Sequence, residues 1–376
     1  MLSTLRKRAL KALLYLFASV YLWHPGPSIA LMGSIGVETG YDSNPGLVSS
    51  GEKGSGFSTL SLEVIQGMTP ADHVLVTFGI DAHGKRYFRG DDDTHLGTHL
   101  ELRYINEEGT FQPAIYLAGS RVRSDVIPED DRNVGTVGIS IQLFPTLDLG
   151  IECGGSIDWL DFRRPSSPLG SRTVPGTPGG IEDLGAMMGG LGMASTMKSI
   201  AAKSPKAPME PIGQHHHMNG PATMPLHQQG MRPDMPFGDV ILKKSKPRDD
   251  RFENLYLSIQ KDLFSNLTLT LSANRERLFS SLKYESFTRL GFGASLGVSF
   301  PYSIDLVTAA YWKRARYRKT ALGNRTDYFR DLSISLIKSF KKFGVSSTFE
   351  HMENDSSLEF EDFYNNQISI TLRYYF

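Results

Sequence analysis

Cysteine occurs once in 376 residues, at Cys153, so no disulfide within the chain can brace it. Past residue 30 no apolar run is long enough for a membrane helix, and almost no stretch carries a helical stripe. An excess of one charge is also missing: 40 Lys+Arg face 40 Asp+Glu, which argues against a nucleic-acid binder. No GxSxG-like turn or nucleophile–base constellation is found, so His95, His99 and Glu101 are only nominal catalytic candidates. The chain is therefore not expected to be an enzyme, and no cofactor is expected.

The first thirty residues stand apart. Arg6, Lys7, Arg8 and Lys11 precede the apolar "ALLYLFASVYLW" and the small residues of "PSIA", a pattern that predicts a secretory signal peptide over residues 1–30, cleaved near Ala30. The leader holds four basic and no acidic side chains, so the mature chain keeps 36 basic and 40 acidic residues, a net charge of −4. An exported chain without disulfides needs a large core or a large hydrogen-bonded sheet.

The sheet is visible as alternation. In "HLELRYIN" Leu100, Leu102 and Tyr104 oppose His99, Glu101 and Arg103; "LGFGASLGVSF" sets Leu290, Phe292, Ala294, Leu296, Val298 and Phe300 against nothing larger than Ser. Counting such segments from about residue 33 to the end gives fourteen, seven in residues 31–162 and seven in residues 251–376. Links after even-numbered segments look short ("GMTPA", "EEG", a corner at Pro145, "LFSN", Pro301, "KKFG"), and links after odd-numbered ones long and polar. In lipid every backbone polar group must be paired, and a sheet manages this only by closing on itself. The pattern predicts an all-β fold: an antiparallel up-and-down transmembrane barrel of about fourteen strands in a Gram-negative outer membrane. Tyr41, Trp159, Phe300, Tyr302, Trp312 and Tyr374–Phe376 would form its interfacial girdles.

Residues 163–250 interrupt the pattern. Twelve of 20 prolines and nine of 13 methionines lie there with a single aromatic, Phe237, so a disordered extracellular loop between the seventh and eighth strands is expected. Its "HHHMNGPATMPLHQQGMRPDM" stretch (His215 to Met235) offers imidazoles and thioethers suited to copper, which leaves copper binding as a weaker alternative function. Lys243, Lys244, Lys246 and Arg248 would face lipopolysaccharide phosphates at the outer rim.

Two resemblances follow from short motifs. The closing "NQISITLRYYF" presents Ile368, Ile370, Leu372, Tyr374 and Phe376 on one face and resembles the C-terminal assembly signal of outer-membrane proteins. It implies that Ile370, Leu372, Tyr374 and Phe376 are read by the barrel assembly machinery. "GVETGYDSNP" (Gly36–Pro45) resembles the first strand and loop of the barrels of surface lipoprotein assembly modifiers and of porin-like barrels of exopolysaccharide systems. The former usually carry a periplasmic helical-repeat domain, for which only a few residues remain between Ala30 and the first strand, so an export role would need a separate periplasmic or exported partner.

The sequence thus predicts a channel or transport conduit for polar solutes or export substrates, with surface assembly or display as the alternative. Glu38, Glu101, Arg103, Arg121, Glu152, Asp305, Asp331 and Arg373 are the expected lumen-lining residues, mixed in charge and without strong ion preference. The surroundings expected are outer-membrane lipid and lipopolysaccharide, and no metal site is assigned.

Overall fold

A computed structural model describes residues 30–44, 54–88, 92–124, 131–162, 248–281, 286–317, 324–358 and 362–376. The expected signal peptide, most of the 163–250 insertion with its His/Met stretch, and Lys243, Lys244 and Lys246 lie outside them. Arg248 is the first residue of a strand.

Fourteen strands form a single closed antiparallel barrel. They are β1 (Ala30–Asp42), β2 (Ser55–Ala71), β3 (Val74–Tyr87), β4 (Asp92–Tyr104), β5 (Phe111–Ser124), β6 (Arg132–Thr146) and β7 (Leu149–Phe162). After the insertion come β8 (Arg248–Phe264), β9 (Leu267–Phe279), β10 (Phe287–Phe300), β11 (Ile304–Tyr317), β12 (Thr326–Ser339), β13 (Phe343–Ser356) and β14 (Phe363–Tyr375). Each strand pairs with its sequence neighbours, and β14 returns to β1 in register from Ser34↔Tyr375 to Asp42↔Gln367. Closure leaves no sheet edge, which is what a bilayer demands.

The last residue is part of the seam. Gly33 and Phe376 exchange both backbone hydrogen bonds at 3.0 Å, and the Phe376 ring lies across Gly33, where an added Cβ would stand 2.3 Å from a ring carbon. Glycine is needed here for the close approach of an aromatic ring, not for an unusual backbone angle.

Ala30, the first described residue, and Phe376 share one rim with the short turns, the periplasmic rim of an outer-membrane barrel. Two of these turns lie elsewhere than their prolines suggest. "GMTPA" belongs to β2, whose register with β3 shifts between Met68 and Ala71, and the turn is Asp72–His73, with His73 at φ 68°. Pro145 likewise lies within β6 at a register shift between Leu143 and Thr146. A bulge takes the residue that cannot donate out of the hydrogen-bond ladder, so proline is tolerated without ending the strand. At the other rim much of the expected loop is strand: β3 runs to Tyr87 and β4 resumes at Asp92, while β11 and β13 extend to Tyr317 and Ser356. Above the lipid both faces are wet, so alternation disappears although pairing continues.

Side chains sort by register parity. Leu60, Ile115, Ile139, Leu255, Phe292 and Ile370 point outward, each more than half exposed, and would be a serious liability in water. Tyr41, Trp159, Phe300, Tyr302, Trp312 and Phe376 are exposed at strand ends as girdles require, whereas Tyr375 shares the inward parity of Arg373. The interior is not wet throughout. Val134, Leu160, Phe162, Phe252, Leu278, Phe287, Ala315 and Tyr317 form a buried apolar cluster on the inner face of β6–β11 near the outer rim.

Candidate functional site

The lumen is the functional feature that this architecture builds, and its lower half has two unlike walls. On β4–β8 a chain of polar side chains crosses five strands. Arg103 Nε donates to Glu101 Oε1 at 2.7 Å, and its Nη1 donates to Gln142 Oε1 and, at 3.5 Å, to Gln112 Oε1. Gln142 Nε2 donates to Glu152 Oε2 at 3.0 Å, and Tyr256 OH donates to Glu152 Oε1 at 2.8 Å. Arg103 and Glu101 are only 1% and 2% exposed, yet Arg103 Nη2 and Glu101 Oε2 have no hydrogen-bond partner among the described residues. Buried charges are tolerable when paired and bridged in this way.

Across the lumen, half a ring away in strand order, the wall is small. Thr268, Thr270 and Ser272 of β9, Ser295 of β10, Ser333 and Ser335 of β12, and Ser346 and Thr348 of β13 share the inward parity and are half-buried. Ser335 and Thr348 hydroxyls hydrogen-bond at 3.0 Å. β11 completes this wall with inward Val307 and Ala309, and above them Tyr311 projects at the level of Ser272 and Glu350 of β13 opposite Ser333, so the wall is small only in its lower part.

A third group lies on β2–β4. His95 Nδ1 is 3.0 Å from Asp81 Oδ2, and the His83 ring stacks on His95 at 4.9 Å. Glu63 stands opposite Asp81 in the ladder. Gly79 and Gly97 make room: a Cβ at Gly79 would meet the His99 ring at 2.0 Å, and one at Gly97 would meet Asp81 Oδ1 at 2.4 Å. Among the described residues no three His, Cys, Asp or Glu side chains are placed to hold a metal ion. Higher up, Asp42 is fully buried, accepts from the Asn44 amide at 3.1 Å and Tyr87 OH at 3.3 Å, and lies 3.9 Å from Lys85 Nζ. That ammonium also sits over the Phe57 ring at 4.0 Å.

Of the expected lumen-lining residues, Glu38, Glu101, Arg103, Glu152, Asp305, Asp331 and Arg373 fall on the inward parity of their strands. Glu101, Arg103 and Glu152 belong to one network; Asp305 stands apart, accepting from Ser299 Oγ at 2.7 Å. Arg121 is misplaced by the sequence reading. It lies on β5 between inward Ser120 and buried Val122, opposite Leu96, and its side chain is exposed on the outer surface. The alternation of "SRVRS" with a single apolar residue left its phase undetermined. Gln112, Gln142, Tyr256, Asp81, Glu63 and His83 were not legible as site residues, because only cross-strand register brings them together.

The inward parity also sorts charge. Carboxylates there (among them Glu38, Asp42, Glu63, Asp81, Glu101, Glu152, Asp158, Asp305, Asp331 and Glu350) outnumber the cations Lys85, Arg103, Arg132, Arg289, Lys313, Arg325 and Arg373. Carboxylate partners of those cations include Asp42 for Lys85, Glu101 for Arg103, Glu276 for Arg289 and Asp327 for Arg325. Carboxylates therefore predominate on the inward parity among the described residues.

No protein-family model matches the chain, and no curated protein matches it. Among solved structures, OmpT of Vibrio cholerae, an outer-membrane-expressed protein, superposes with a TM-score of 0.49 at 8% identity, covering 94% of this chain and 99% of that one. A bacterial polysaccharide outer membrane secretin gives 0.43 at 9% identity over 92% and 98% of the two chains. Salmonella typhi OmpF in complex with daunomycin gives 0.43 at 9% over 93% and 98%. At such identities and TM-scores these likenesses fix neither a family nor a ligand. The chain's own closed, apolar-sided cylinder is what makes it a Gram-negative outer-membrane β-barrel.

Proposed function

We propose that the barrel is a water-filled conduit for small polar solutes across the outer membrane, with a preference for cations. The observation that supports this reading is the contrast of walls in the lower lumen: below Tyr311 the inward side chains of β9–β13 are mostly small, Ser, Thr, Gly and Ala309, across from the charged network on β4–β8. Eight-stranded barrels fill their interiors with side chains, and larger ones leave a channel; fourteen strands with one wall of Ser and Thr fall on the open side of that divide. The inward excess of carboxylates supports cation preference, since lumen charge sets ion selectivity. The buried apolar cluster on the inner face of β6–β11 supports a lumen that is less polar toward its outer end.

Swelling of liposomes carrying purified protein tests the reading. Small neutral sugars should enter, and Ser295→Trp combined with Ser335→Trp should slow entry severalfold while the barrel remains folded. A tenfold KCl gradient should give a reversal potential of the sign for cation preference. Liposomes that do not swell although they hold folded barrel would remove the proposal.

A further inference from the structure

The outward surface carries its charges unevenly. Among the described residues the outward cations at the outer ends of the strands are arginines: Arg86 on β3, Arg121 and Arg123 on β5, Arg251 on β8, Arg275 and Arg277 on β9, Arg314 and Arg316 on β11, and Arg330 on β12. At the periplasmic end they are lysines, Lys261 and Lys338 on the strands and Lys341 and Lys342 in a turn.

Four of the arginines form a compact group around β10. In the ladder Leu290 lies between Arg275 on one side and Arg314 on the other, and Thr288 lies between Arg277 and Arg316. Strand spacing sets the two arginines of a row about 10 Å apart, and the rows lie about 7 Å from each other along the strand. Immediately below, Trp312 stacks on Phe292 at 6.1 Å and sits 6.3 Å from Tyr328, marking the outer interface of the lipid. Arg314 lies 5.3 Å over Tyr328, and its Nε is buried without a hydrogen-bond partner among the described residues. Among the described residues the outward carboxylates near the group stand at its borders: Glu253 opposite Arg277, Asp355 opposite Tyr328, and Glu353, which accepts from Arg330 at 3.1 Å. The central strand brings none between the two pairs.

We infer that this arginine group on β9–β11 is a binding site for the phosphates of lipopolysaccharide in the outer leaflet. The geometry fits that occupant. The guanidinium groups stand just above the aromatic girdle, at the depth of outer-leaflet headgroups, while Leu290, Phe292 and Leu296 continue downward as an apolar track for acyl chains. Guanidinium binds phosphate bidentately, and several placed on a rigid sheet pay little entropy to do so. The inference rests on the membrane position of the barrel and not on the conduit reading, so either can fail without the other.

Binding of diphosphorylated lipid A and of its dephosphorylated form to detergent-folded protein decides the matter, with heat-modifiable gel mobility reporting the fold. Substituting Arg275→Gln, Arg277→Gln, Arg314→Gln and Arg316→Gln together should weaken binding of the phosphorylated form by about ten-fold or more, to the level that wild type shows for the dephosphorylated form. Arg121→Gln with Arg123→Gln, on the far side of the barrel, should change it by less than about three-fold. Should the quadruple variant not fold, Arg275→Gln with Arg314→Gln tests the row at Leu290, with about three-fold weakening expected. Unchanged affinity in a folded variant, equal binding of both glycolipids by wild type, or complete displacement by millimolar inorganic phosphate would each overturn the inference.

Discussion

Arg103 donates to three side chains on three strands, so its loss reaches further than one contact. Arg103→Met would leave the Glu101 carboxylate buried and unpaired, and is expected to cost about 3 kcal/mol in unfolding from lipid vesicles. Adding Glu101→Gln should restore part of that loss; a double variant less stable than the single one would show that the pair does not act as described. At the periplasmic turn Asp148 is half exposed and accepts hydrogen bonds from the Lys261 ammonium and from Thr146 Oγ1, and these hold its carboxyl down at about 2. A depressed carboxylate favours the folded state above its unfolded value of about 3.9, and that contribution disappears as pH falls through about 2. Carbon-13 NMR of the carboxyl should place its midpoint near 2, and Lys261→Met should raise it toward the ordinary value. Glu101 and Arg103 were legible because "HLELRYIN" fixes their phase; Arg121 was not, because "SRVRS" offers arginines on one parity and serines with a lone valine on the other.

Among the elements, the seam between β1 and β14 is the one that must form last, since it joins the two ends of the chain. The alternation of "NQISITLRYYF" made β14 legible, but nothing in the sequence linked its terminal ring to Gly33. Gly33→Val would drive its side chain into the Phe376 ring. The fraction reaching the heat-modifiable, fast-migrating form is expected to fall severalfold, and adding Phe376→Ala to Gly33→Val should restore part of it because the clash is removed; normal yield from Gly33→Val would show that the ring is not held there. The strand count was legible throughout, whereas strand limits failed at Pro70 and Pro145, where bulges absorb the proline, and at the outer rim, where β3, β11 and β13 run on without alternation.

Across the described residues the charges are unevenly distributed: carboxylates outnumber cations on the inward parity, and the outward cations are arginines at the outer ends of the strands and lysines at the periplasmic end. A near-neutral composition hides this, because only closure of the barrel assigns each residue a side. The apolar cluster at the outer end of the lumen was hidden for the same reason; Leu160, Phe162, Phe252 and Phe287 share their parity with polar neighbours lower on the same strands. The most direct test is single-channel recording of purified protein in planar bilayers. Stepwise, ohmic conductance that carries more cation than anion current and shrinks in the Ser295→Trp, Ser335→Trp variant is the predicted result. A folded barrel in the bilayer that leaves the baseline current unchanged would contradict the account.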